Sequence, residues 1–375
     1  MKKNLFRTTC LIIAFVMMAG VLAACGNNAA PGNNAGDQPA SPAPAATDDR
    51  TWEFTVSFSH AEVVSPNWHR LFGPELESKS NGRISSTFFW AGSLLSIPEA
   101  PRGLQDGVAD IVNLPAPNYI DILPLNTRIM QLPFIGMQDI VLTTEIYMQL
   151  FNEFPEMREE AENLGIKILG ATPLGRYNLK LTFSDPVVRL PEQLRGRTIV
   201  PYKNEILYLL SQNNAAGTFV PPAQIYENLE RGVVEGYFAD WNFAGFFGLT
   251  DLINQHVQFG DYGAYQDINL FAMSLDTWNA LPADLQQVVQ DVLWNDGGYK
   301  EIWEGDTLPL INAQREAAEA KNDIVTVLTP DEMEVWKSYI LPLYQQTIDE
   351  INEMRGDDAA QRIYNRLLEI MAERF

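Results

Sequence analysis

The chain has 375 residues, 46% of them hydrophobic, and a formal net charge of −22 at pH 7. That acidity argues against nucleic acid as a partner and against electrostatic adhesion to anionic lipid. A solvated acidic surface accounts for it without implying a cationic ligand. The two cysteines, Cys10 and Cys25, fall in the first 25 residues, so the rest of the chain must hold its core without disulfides.

Lys2, Lys3 and Arg7 precede an uninterrupted apolar run, residues 11–24. A membrane-spanning helix needs about 20 such residues, so this run fits the core of a signal peptide better. It ends in Leu22-Ala23-Ala24-Cys25-Gly26, a lipobox-like sequence with small residues at the cut and a thiol to carry a diacylglyceryl group. Loss of the three bases in residues 1–24 leaves a mature charge of −25. Residues 26–50 are rich in Asn, Ala, Pro and Gly and lack large apolar side chains. They read as a disordered tether with a reach of roughly 25–30 Å.

The folded part then opens on WEFTVSF, residues 52–58, which alternates as a strand does. A helical stretch over 67–79, an Asn81-Gly82 turn and the strand RISSTFFW, 83–90, follow. A helix around 97–106 ends at Gly107, and VADIVNL, 108–114, reads as a short buried strand. This β–α–β–α–β order predicts a parallel sheet flanked by helices. A second α/β unit covers about 175–262, joined to the first near 170–176 and 260–268. The strand DINLFAMS, 267–274, returns to the first unit. A helix over 283–321 is expected to break near Gly297-Gly298. Thr329-Pro330-Asp331-Glu332 has the capping residue, first-turn proline and acid of a helix start, and helices fill the remainder.

Residues 172–241 carry the clearest resemblance. Gly175-Arg176 is followed by an extended segment, a Leu194-Arg195-Gly196 turn, a strand, two helices and Gly232-Val233-Val234-Glu235-Gly236. Together with Leu104…Gly107…Asp110-Ile111 and Trp278…Leu281-Pro282…Asp284, this order resembles the solute-binding proteins of TRAP (tripartite ATP-independent periplasmic) transporters, the DctP-like family. The resemblance covers about residues 52–345. It implies an α/β, two-lobed periplasmic-binding-protein-like fold with a ligand cleft between lobes and long C-terminal helices. Lobe I is expected over 51–174 plus 264–305, and lobe II with the spanning helices over 175–263 plus 306–375. It further implies a binding protein, not an enzyme, that delivers a small organic molecule to TRAP membrane subunits from a lipid anchor at Cys25. The binding component of an ABC importer or sensor system, or an extracytoplasmic hydrolase using Asp240 or another carboxylate, are the alternatives.

No metal-ligand spacing links His60, His69 and His256, and no P-loop, G-x-G-x-x-G or G-x-S-x-G element is present. No cofactor or metal is therefore expected. By resemblance Arg176 clamps a ligand carboxylate with its bidentate guanidinium. Val200 stands where the family usually carries a second arginine, which puts a simple organic acid in doubt. Arg197 sits at an odd offset from Val200 and faces the other way on a strand. Aromatic and amide residues at strand ends complete the expected site: His60, Trp68, Trp90, Asn113, Asn118 and Tyr119 in lobe I, and Tyr202, Asn204, Tyr237, Asp240, Trp241 and Asn242 in lobe II.

Overall fold

The alternating segment is a strand, β1 (Trp52–Ser57), which pairs in parallel with β2 (Ile84–Phe89) and β3 (Ile111–Pro115). This computed structural model describes residues 50–374 apart from 137, 138 and 262, so the leader, Cys25 and the tether up to residue 49 lie outside the described residues. The helical stretch between β1 and β2 runs as Pro66–Arg70, a wider turn Leu71–Glu75, and Leu76–Lys79. Pro74 lies in the wide turn, where its missing N–H breaks the regular hydrogen-bond ladder. Asp110 ties the strand ends together: its carboxylate accepts from Thr55 N (2.8 Å) and from the Thr277 hydroxyl (2.7 Å).

The remaining strands are β4 (Ile166–Leu181), β5 (Thr198–Val200), β6 (Ala216–Gly217), β7 (Gly236–Ala239), β8 (Gln255–Gln258), β9 (Tyr265–Ser274) and β10 (Ile324–Val327). Two of them organise the lobes. Along Ile166–Tyr177, β4 runs antiparallel to β9, whose other edge takes β3. Its last residues, Asn178–Leu181, leave β9 and pair instead with β7 and β8. One lobe therefore has the order β2-β1-β3-β9-β4, and the other β10-β8-β4-β7-β5-β6. The crossing is continuous strand, with a register irregularity between Pro173 and Gly175 just before it.

Each sheet is covered on both faces. In lobe I, Ile268 and Leu270 pack with Ile146, Leu150, Ile363 and Leu367 on one side, and Phe54, Phe58 and Phe271 with Leu285 and Val289 on the other. In lobe II, Leu179, Phe238 and Val257 pack with Leu209 and Trp336, and Val200 and Tyr237 with Ile225 and Leu229. The helix Leu341–Arg355 starts at Tyr344 in the lobe II core and reaches Ile351 in the lobe I core. The capping box at Thr329 forms, with Glu332 N donating to the Thr329 hydroxyl. The expected break falls at Gly297, φ +85°, which separates Ala283–Gln290 and the wide turn after it from Gly298–Glu301. Among the described residues no helix is long and apolar enough to cross a membrane.

Candidate ligand cleft

Between the lobes lie two contiguous chambers, about 290 and 250 Å³, which share Pro115, Leu174, Tyr177 and Phe243. They sit beyond the carboxyl ends of β1, β3, β5 and β7, the usual ligand position in open α/β sheets. The period of two along β9 explains one wall. Met273 and Phe271 point into the lobe I core, and the next residues on that face, Asn269, Asp267 and Tyr265, line the chambers.

The lobe I wall around Asn113 is neutral. Asn113 is held from both ends: Oδ1 accepts from Ser59 N (2.8 Å), and Nδ2 donates to Ser59 Oγ (3.0 Å) and Asn269 Oδ1 (3.4 Å). His60 meets the Trp68 ring edge to face at 4.0 Å, and both line the larger chamber. Burial pushes the His60 imidazole down to about 3, so it is uncharged at neutral pH. Asn118 lines the smaller chamber. Trp90 stands behind His60, stacked on Phe88. Tyr119 lies in the core, its hydroxyl donating to Ile97 O (2.6 Å).

The lobe II wall is built around Asp240, the residue after β7. It caps the helix Trp241–Phe246 by accepting from Phe243 N (3.0 Å). A Cβ at Gly175 would lie 2.7 Å from Asp240 Oδ2, so glycine is what lets this carboxylate lie against β4. Burial raises the Asp240 carboxyl to about 6, against the pull of the Phe243 amide and of Lys180. Asn242 is buried beside it, its Oδ1 without a hydrogen-bond partner among the described residues. Phe243 packs on Tyr237 (5.3 Å), Tyr202 (5.7 Å) and Phe247 (4.6 Å). Tyr237 itself is fully buried beneath this layer, opposite Val200. Tyr202, at φ +53°, separates the chambers from a polar side pocket that Asn204 lines with Arg128, Lys203 and Glu350.

Arg176 is elsewhere. It follows the β4 irregularity between Pro173 and Gly175 and lines a rear cavity of about 100 Å³ with Trp241, Asp261 and Arg315. Asp240 separates this cavity from the larger chamber and lines both. Burial lowers the Arg176 pKa, opposed by Asp139 and Asp261, and its Nε is buried without a partner among the described residues. Beside the cavity, Trp241 stacks on His256 (4.4 Å) and takes the Lys180 ammonium on its ring at 3.2 Å. Lys180 is fully buried with no hydrogen-bond partner among the described residues, and burial drives its pKa well below the usual range. His256 Nε2 lies 3.1 Å from Asp323, and burial pushes the imidazole down to about 2. Val200 is buried in the apolar cluster with Tyr237, and Arg197 pairs with Glu235.

Sequence reasoning passed over Tyr177, Phe243, Asn269 and Lys180. The alternation of β9 was the available signal for Asn269. A lone lysine in an alternating strand reads as solvent-facing, so nothing pointed to Lys180.

Two α/β lobes joined by crossing strands, with a solute-sized cleft between them, define a two-lobed binding protein. The chain belongs to the bacterial extracellular solute-binding protein family 7, DctP, whose profile matches residues 63–350. It is a TRAP-type solute-binding protein and works outside the cytoplasm. No curated protein matches it by sequence. Among solved structures it is similar to a TRAP periplasmic solute-binding protein from Desulfovibrio salexigens, with TM-score 0.71 and 18% identity over 86% of this chain and 95% of that one. A Rhodoferax ferrireducens TRAP solute-binding protein with copurified benzoate gives 0.68 and 18%, over 86% and 100%. A Bordetella pertussis extracytoplasmic solute receptor binding pyroglutamic acid gives 0.66 and 15%, over 84% and 100%.

Proposed function

We propose that the chain captures one small organic molecule in the two chambers and hands it to TRAP membrane subunits driven by an ion gradient, without chemically changing it. The reading rests on one observation: both lobes of a family 7 fold contribute side chains to the same pair of chambers. His60, Trp68, Asn113, Asn118, Tyr202, Asp240 and Asn242 contact the solute, with Tyr177, Phe243 and Asn269. Trp90, Tyr119 and Tyr237 shape the walls from behind. Arg176 and Trp241 act from the rear cavity and Asn204 from the side pocket. Lobe closure about β4 and β9 buries the solute. The Rhodoferax relative holds benzoate, so one aromatic ring is a size this fold accepts. Asp240 serves as a helix cap and wall, not as an acid or base.

Cys25 carries lipid in this reading, and the tether keeps the lobes near the membrane. Mass spectrometry of the N-terminal peptide should find a diacylglyceryl-modified Cys25. The binding role is tested by gentle purification, denaturation and mass spectrometry of what is released. One equivalent of an unaltered small molecule is expected. A product that accumulates on incubation would overturn the reading.

A further inference from the structure

We propose that the cleft selects a solute with a basic nitrogen, an organic ammonium on an apolar or aromatic body, and discriminates against organic acids. This rests on the solute-binding reading and narrows its ligand class. Among the described residues no arginine or lysine lines either chamber, whereas Asp240 and Asp267 do. Asp267 is already matched by Lys203 at 3.4 Å. Asp240 has no such partner: Lys180 acts on it through space, and the Lys180 ammonium sits on the Trp241 ring without a hydrogen bond. The guanidinium groups of Arg176 and Arg315 lie behind Asp240, in the rear cavity. An anion in the chambers would thus meet a carboxylate before any cation.

The unpartnered Tyr202 and Tyr265 hydroxyls and His60 Nε2 can donate or accept and do not separate the charge classes. Asn242, which lines the larger chamber, is 5% exposed, and its Oδ1, an acceptor only, has no partner among the described residues. A carboxylate ligand brings acceptors and leaves it unmet, whereas an ammonium brings up to three donors. Tyr177 and Phe243 border both chambers and Trp68 the larger one, and aromatic faces attract cations. Burial holds the empty Asp240 carboxyl at about 6, a cost that an ammonium beside it would offset.

Three indole compounds of one size separate the charge classes: tryptamine, tryptophol and indole-3-acetate. Calorimetry on the mature chain at pH 7.5 should give tryptamine a Kd at least about tenfold below that of indole-3-acetate, with tryptophol between. Asp240→Asn, which can still cap the helix, should raise the tryptamine Kd about tenfold and leave tryptophol within about threefold. Indole-3-acetate binding as tightly as tryptamine overturns the inference and leaves solute binding intact. This ranking decides the matter even if Asp240→Asn does not fold. If no indole binds, the released molecule decides: a basic nitrogen upholds the inference, and an acid or an uncharged compound overturns it. No binding and no release would take down both readings.

Discussion

The two walls of the cleft handle buried polar groups in opposite ways. On the lobe I side Asn113 is closed within a hydrogen-bond network with Ser59 and Asn269, while His60 is uncharged against Trp68 with its Nε2 unpartnered among the described residues. On the lobe II side the polar atoms are left open. Among the described residues Asn242 Oδ1 and the Tyr202 hydroxyl lack partners and Asp240 has only backbone donors, with Lys180, His256 and Arg176 packed behind them. A satisfied network is rigid, while an unsatisfied one stores binding capacity at the expense of stability. The Asn113 network is therefore the fixed part of the site, and the open groups around it and across the cleft are where a solute can be read.

The largest expected effect tests whether Val200 belongs to the wall or to the core behind it. Val200 is fully buried with Tyr237 and Ile225, so Val200→Arg places an unpaired charge there. A loss of about 3–5 kcal/mol in urea unfolding is expected. A stable variant that gains dicarboxylate binding would show instead that this strand faces the cleft.

The pH dependences of His60 and Asp240 should have opposite signs. His60 falls from its ordinary 6.5 to about 3 in the folded chain, so its contribution is whole above pH 6.5 and drains as pH falls toward 3. The slope is at most about 1.4 kcal/mol per pH unit. Asp240 rises from 3.8 to about 6, so its contribution is whole below 3.8 and is lost as pH rises through 6. Between those limits the two oppose each other. Because His256, pushed down to about 2, also loses stability on acidification, His60→Phe should flatten the loss, and Asp240→Asn should steepen it, both measured as urea midpoints at pH 7, 6 and 5. Identical slopes in the two variants would remove the contrast between the walls.

Behind the lobe II wall, Lys180 has no hydrogen-bond partner among the described residues. Lys180→Met keeps the length and removes the charge, and should stabilise the chain by about 1–3 kcal/mol. Destabilisation would mean that the ammonium supports Asp240 strongly.

The layout was legible where local chemistry decides. The alternation in β1, the Thr329 capping box and the glycine break at 297 each follow from a few neighbouring residues. The site was less so, because it depends on parity across irregular strand. Tyr119 and Tyr237 have the residue type of a ligand contact but lie in cores. The register shift between Pro173 and Gly175 sets which way Arg176 points, and no sequence signal announces such a shift.

Arg176 gives the smallest expected effect and the sharpest boundary between the cleft and what lies behind it. Its guanidinium shares the rear cavity with Asp261 and Arg315, and its Nε is already unpartnered. Removing it therefore breaks no strong pair, and Arg176→Ala should change stability by no more than about 1 kcal/mol. An ammonium held by Asp240 lies on the other side of that carboxylate, so tryptamine should keep its Kd within about threefold. A solute whose carboxylate reached into the rear cavity would instead lose about 2–4 kcal/mol, because a desolvated charge would lose its partner. Calorimetry on this one variant thus separates a ligand that stops at Asp240 from one that passes it.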